Sequence, residues 1–190
     1  MKTLMHICCA PCANRPIDAL QQEGIHVTGF WFNPNIHPYT EYQARKHTLE
    51  EYAKEIGMKL IIGGSYDLRP FITSVADNID GRCAYCYRVR MEATARYAAE
   101  NGYDSFTTSL LVSPYQKHNA IAAIARQMGE QYGVEFLYRD FRPLFQAGQE
   151  FARAHGFYMQ KYCGCIFSEE DRYMAAKRKK KALRAAAQEE

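Results

Sequence analysis

No stretch of this 190-residue sequence approaches the roughly twenty consecutive apolar residues that a membrane-spanning helix needs. One lysine and no apolar run of signal-peptide length precede the first cysteines, so a cytoplasmic protein is expected. No Pro/Gly-rich linker and no internal repeat divides the chain, which is read as a single domain over 1–190. No cysteine stands alone either. All seven fall in three clusters, Cys8/Cys9/Cys12, Cys83/Cys86 and Cys163/Cys165.

That clustering argues against a disulfide framework. A chain that is 47% hydrophobic over 190 residues can build a full core without staples. Neighbouring cysteines cannot all pair as relaxed disulfides, which need Cα atoms several ångströms apart and a fixed torsion. In a reducing compartment, clustered thiols serve as ligands or redox groups. Soft thiolates held together suit zinc, copper or an iron–sulfur cluster.

Charge is unevenly spread. The formal net charge is +3, from 24 basic and 21 acidic residues, yet residues 177–184 alone hold six of the basic ones. The run Lys177, Arg178, Lys179, Lys180, Lys181, Arg184 leaves residues 1–176 with 18 basic and 19 acidic side chains. Such a tail suits a phosphate backbone, through counterion release. A solvated helix end has the same composition.

Hydrophobic patterning gives one alternating rhythm. Strands are expected at 4–7, 27–32, 59–62, 105–111 and 135–138, and helices at 14–23, 39–56, 83–101 and 117–132, most of them stopped by a glycine. This predicts an α/β fold, a Rossmann-like parallel sheet with helices on both faces. Residues 148–190 are read as a helical C-terminal extension carrying the Cys163-Gly164-Cys165 turn and the basic tail.

In such sheets ligands bind beyond the carboxyl ends of the strands. Cys8 and Cys9 fall at that end of the first strand, and Cys12 where the next helix begins, a position that favours thiolate. Cys83 and Cys86, three apart at a helix start, share a face, with Arg82, Arg88 and Arg90 close by to offset negative charge. The bare cysteines leave zinc and iron–sulfur both open, because a four-cysteine zinc site fits Cys8, Cys9, Cys83 and Cys86 equally well. Cys163 and Cys165 differ. Oxidation would close a very small, strained and readily reduced ring, which suggests a redox pair.

Six segments then carry a resemblance. HICCAPC at 6–12, FNPNIHPYTEYQARK at 32–46, RCAYCYRVRM at 82–91, FTTSLLVSPYQKH at 106–118, FLYRDFRP at 136–143 and QKYCGCIFSEEDR at 160–172 together resemble the QueH-type epoxyqueuosine reductases. The resemblance implies a fold of the adenine nucleotide α-hydrolase-like type. It further implies cobalamin-independent reduction of epoxyqueuosine to queuosine at the wobble position of tRNA, the last step of queuosine synthesis, fed by an external electron donor. By position it places a 4Fe-4S cluster on Cys8, Cys9, Cys83 and Cys86 and a redox-active disulfide on Cys163 and Cys165. A second iron or other divalent metal ion is also implied, with Cys12 the leading candidate ligand and Asp140 and Asp18 weaker ones.

Tyr115, Gln116 and His118, in the loop after the fourth strand, are expected to hold the modified base or move protons, whereas His37 and His118 can equally be loop polarity. Two other classes compete. A zinc-bound, non-catalytic RNA-binding domain accounts for the cysteines and the tail but not for a labile Cys-Gly-Cys pair. A tRNA sulfur-transfer enzyme would use ATP, yet no Ser-Gly-Gly-x-Asp-Ser-like phosphate loop follows the first strand, and Gly63-Gly64-Ser65 is too short to serve as one.

Overall fold

Five parallel strands form one sheet in the computed structural model, which describes the backbone of residues 1–186 and the side chains of 1–175 and 177. The strands are β1 Lys2–His6, β2 His26–Trp31, β3 Leu60–Ile62, β4 Ser105–Thr108 and β5 Glu135–Phe136, in the order β3-β2-β1-β4-β5. The helices are α1 Ala10–Gln22, α2 Tyr39–Glu55, α3 Leu68–Val75, α4 Arg82–Glu100, α5 His118–Tyr132, α6 Phe145–Ala154 and α7 Ile166–Ala186. α1 packs with α2 and α6, and α4 packs with α5. This is the expected Rossmann-like arrangement, with a helical C-terminal region.

Because the sheet is covered, β1 is apolar without alternation: Leu4 and Met5 are fully buried on opposite faces. β1 also sets the length of its neighbours. His6 pairs with Phe30 of β2 and Thr108 of β4, and the chain then leaves the sheet to enter α1. The run through Leu111 therefore cannot continue as strand, as its apolar character suggests it would. Thr108 Oγ1 instead accepts from the Leu110 backbone, and Ser109–Val112 coils into a 3-10 turn. α1 likewise begins at Ala10, four residues earlier than expected, with Pro11 in the first turn where its missing N–H costs nothing.

Strand order reverses between β1 and β4, since β1 leads outward to β2 while β4 lies on its other side. The crevice beyond their carboxyl ends is where this topology binds ligands. Cys8 and Ser109 sit there side by side, the Cys8 backbone N–H donating to Ser109 Oγ at 3.2 Å. α6 closes over α1 at Gly148, whose carbonyl accepts from Asn14 Nδ2 at 3.0 Å; a Cβ at Gly148 would come within 3.0 Å of Asn14 Oδ1.

Candidate active site

Three sulfurs meet at the switch point. Cys8 follows β1, Cys9 caps α1 in extended conformation, and Cys12 lies one turn inside, so that their Sγ atoms all fall within 4.8 Å of one another. Cys9 is fully buried and the other two nearly so. The triad shares little charge. The neighbouring Cys12 and Cys9 thiols hold Cys8 toward thiolate, burial pushes Cys9 up, and the Cys8 anion pushes Cys12 up. Gln160, from far along the chain, caps the group, donating from Nε2 to Cys9 Sγ at 2.9 Å and Cys12 Sγ at 3.4 Å. This buried triad is a group able to bind a metal ion.

A cavity of about 490 Å³ opens beside it, lined by Cys8, Cys12, Cys83 and Cys163 among others. An adjoining small space of about 20 Å³ is lined by Cys83, Cys86, Cys163, Cys165, Asn35 and Arg90. All three cysteine clusters thus converge on one region. Burial pushes Cys86 up to about 11, against the pull of Arg90, whose Nη2 donates to Cys86 Sγ at 3.0 Å. Arg90 is only 2% exposed, and its hydrogen-bond partners among the described residues are the Cys86 carbonyl and sulfur. A buried guanidinium without a carboxylate favours an anion next to it, and Arg90 pulls Cys86 toward thiolate while burial opposes it. Of the other two arginines, Arg82 reaches Asp171 at 2.5 Å, and Arg88 turns outward to Gln127.

Cys163 and Cys165 are unequal. Cys163 is exposed at the cavity lip, with Sγ 3.0 Å from Ser168 Oγ, whereas Cys165 is 4% exposed among Phe71, Val75 and Cys86. The neighbouring Cys165 thiol holds Cys163 down to about 5. The Cys163 anion and burial in turn push Cys165 far up. The turn between them is gripped from α2 and the preceding loop. Arg45 donates to the Cys163 carbonyl at 3.2 Å and the Tyr162 carbonyl at 2.9 Å, and the His37 backbone N–H donates to the Gly164 carbonyl at 2.8 Å. Gly164 has φ +126°, and a Cβ there would press on Ile36 at 3.1 Å and Arg45 at 3.3 Å, so only glycine fits.

Arg45 is itself buried and ion-paired to Glu41 at 2.6 Å, four residues earlier on α2, and Glu41 also accepts from Tyr158. Arg45→Ala leaves that carboxylate buried and unpaired and releases the turn. The expected cost is about 3–5 kcal/mol, a fall in Tm on the order of 10 °C, read by thermal circular dichroism.

The remaining expected residues separate. Tyr115 stands 86% exposed on the cavity rim with its ring edge-on to Phe145, centroids 5.8 Å apart, and Gln116 lines the cavity and accepts from Tyr87 Oη at 2.7 Å. His118 is outside the cavity lining, buried at the start of α5 with Nε2 3.0 Å from Tyr138 Oη. His37 is fully buried against the Pro34 carbonyl. Asp18 is paired with Arg15 at 2.7 Å, and Asp140 is gripped by Arg142, which holds its carboxyl down to about 2; neither belongs to the sulfur group. Lys177 is exposed on α7, while the side chains of Arg178, Lys179, Lys180, Lys181 and Arg184 lie outside the described residues.

Sequence reasoning missed Arg45, Tyr87, Phe145 and Gln160. Tyr87 carried a signal, lying four residues after Cys83 on one helix face. Arg45 carried one too, as the partner of Glu41 at i,i+4. Gln160 opens the segment at 160–172, but nothing there points to its sulfur partners, because 148 residues separate it from Cys12.

A family model described as epoxyqueuosine reductase QueH matches residues 3–171. The chain belongs to the QueH family. It is 38% identical over 172 residues to the epoxyqueuosine reductase QueH of Dehalococcoides mccartyi, covering 90% of this chain and 94% of that relative. Identity to the Thermotoga maritima epoxyqueuosine reductase QueH is 33% over 174 residues, covering 87% and 88%. The fold is shared more widely: a predicted subunit of tRNA methyltransferase from Methanocaldococcus jannaschii superposes with a TM-score of 0.51 at 14% identity, covering 83% of this chain and 89% of that one. The matched span begins before the first cysteine cluster and ends after the third, and no helix among the described residues is long and apolar enough to cross a membrane.

Proposed function

We infer that this chain reduces the epoxide of epoxyqueuosine to the cyclopentene of queuosine at the wobble position of tRNA, in the cytoplasm and without cobalamin. One arrangement carries this: three sulfur clusters converge on a cavity whose charged lining residues, Arg45, Lys117, Lys161 and Arg172, are all basic. Removing an epoxide oxygen takes two electrons and two protons and releases water, so thiols and metal-bound sulfur belong beside a site that accepts RNA.

The donor set fits a soft metal group. The triad is all sulfur, Arg90 supplies an uncompensated buried cation, and Gln160 donates to two of the sulfurs. Cys8, Cys9, Cys83 and Cys86 would hold a 4Fe-4S cluster. Cys12, whose sulfur lies with Cys8 and Cys9, would serve a second iron or other divalent ion. When bound, these groups supply single electrons and a Lewis acid for the epoxide oxygen.

The chain's own side chains do the rest. Cys163 and Cys165 store two electrons as a dithiol and release them on closing to a disulfide. The Tyr87 phenol, pushed up to about 12 mainly by burial, keeps its proton at neutral pH and holds it at the cavity wall. Tyr115 and Phe145 form an aromatic lip on which an unpaired base can stack, and Lys117, Lys161 and Arg172 meet phosphates. The decisive test is anaerobic incubation of reconstituted protein with epoxyqueuosine tRNA and a reductant, followed by mass spectrometry of nucleosides. Queuosine lighter by one oxygen is expected; unchanged epoxyqueuosine contradicts the assignment.

The tail is expected to add affinity without chemistry. Neutralising Lys177, Arg178, Lys179, Lys180 and Lys181 should weaken tRNA binding and make its logarithmic salt slope shallower by about 3 to 4, while iron content stays unchanged. An unchanged slope would reduce the tail to a solvated helix end.

A further inference from the structure

Cys163 lines the large cavity together with Tyr115 and Gln116, whereas Cys165 lines only the small adjoining space and is packed among apolar side chains. Of the pair, Cys163 is therefore the sulfur open to an external reductant, and it lies on the cavity proposed above to accept the RNA. Around that opening Lys117, Lys161 and Arg172 are exposed, and among the described residues no acidic side chain lines the cavity. Such a rim concentrates anions and repels cations.

We propose that the reductant is a small thiol carrying negative charge, that it attacks Cys163 Sγ from the cavity, and that reductant and tRNA therefore occupy the cavity in turn. This rests on the relay role given to the cysteine pair above. The first donor thiolate attacks Cys163 Sγ of the oxidised pair; the Cys163–Cys165 bond breaks, a donor–Cys163 disulfide forms, and Cys165 leaves and takes up a proton. A second donor thiolate then attacks the donor sulfur and releases Cys163. Two donor thiols become one disulfide, the pair regains two electrons, one of the donors' two protons goes to Cys165 and the other to solvent, and Cys163 is left as thiolate. Access decides which sulfur is attacked. The buried position of Cys165 against Phe71 and Val75 and the place of Cys163 on the large cavity suit their roles as resolving and attacked sulfur. Arg45 holds the Cys163 carbonyl, so the exposed sulfur stays at the lip.

The test uses cluster-loaded protein whose pair has been oxidised with diamide, so that it does not depend on turnover. Two probes of matched size and opposite charge are 2-mercaptoethanesulfonate and 2-mercaptoethylamine. Re-reduction, followed by alkylation and peptide mass spectrometry, should be about tenfold faster with the anionic thiol at low salt, the advantage shrinking as salt rises. Saturating unmodified tRNA should slow it by at least a similar factor. In the Cys165→Ser protein the symmetrical disulfide of the anionic probe should label Cys163, while in Cys163→Ser it should leave Cys165 free. Equal rates for the two thiols, no effect of tRNA, or preferential labelling of Cys165 would each overturn the proposal. Failure of the relay role has a different signature: the pair stays reduced in protein sampled during turnover, whatever the diamide-treated protein does.

Discussion

Cys83→Ser protein is expected to purify with most of its iron lost and to convert no detectable epoxyqueuosine. Cys83 stands at the start of α4, partly exposed, and faces both the large cavity beside Cys8 and Cys12 and the small one beside Cys86. A serine there removes a thiol placed between Cys8 and Cys86 and leaves a hard oxygen that binds iron poorly. The fold should survive, because Cys83 is not among the fully buried core residues and α4 is anchored by Met91, Ala95 and Ala98 further along. Metal analysis and far-UV circular dichroism on the same sample separate the outcomes. Full iron with native helicity would mean that Cys83 is not a ligand, and would favour a centre built on the Cys8, Cys9 and Cys12 triad alone.

Cys163→Ser should do the reverse, keeping iron and tRNA binding while losing turnover with a thiol donor by several orders of magnitude. The residue is exposed, and its sulfur touches Ser168 and lies outside the Cys8, Cys9 and Cys12 triad. A pH profile gives an independent readout. Since Cys163 is held down to about 5, it is thiolate through the neutral range, and its alkylation rate in the wild type should already be near its plateau at pH 6 and fall only as pH drops through about 5. Cys165, pushed the other way, should stay nearly unreactive across that range. Wild-type turnover by Cys163→Ser would end the relay role, and loss of iron would make Cys163 a ligand.

Much of this is legible in the sequence. The alternation of apolar runs with amphipathic segments reveals a parallel sheet, and Cys8 directly after the first strand falls at its carboxyl end, where β1 and β4 diverge. Strand order is not legible, because the pattern of β1 is the same whichever neighbours it has. The end of β4 is misread because Leu110 and Leu111 are apolar enough for a strand, and only the departure of β1 into α1 leaves them without a ladder. The site is legible in its sulfurs and silent in their supports. Cys-Gly-Cys announces a redox pair, but nothing in those three residues shows that one sulfur faces the cavity and the other is packed against Phe71, or that Arg45, 118 residues away, holds the turn. His118 and Gln116 sit two residues apart in sequence, yet the start of α5 turns one into the protein and leaves the other on the cavity wall.

The most direct measurement is the metal and sulfide content of the full chain purified without oxygen. The cysteine constellation, read as a redox centre beside an RNA-accepting cavity, predicts brown protein with about four irons and four acid-labile sulfides per chain, with any further iron beyond four lost in Cys12→Ser. Colourless protein with about one zinc per chain and no labile sulfide would contradict it, and would leave the same cysteines as the structural centre of an RNA-binding domain.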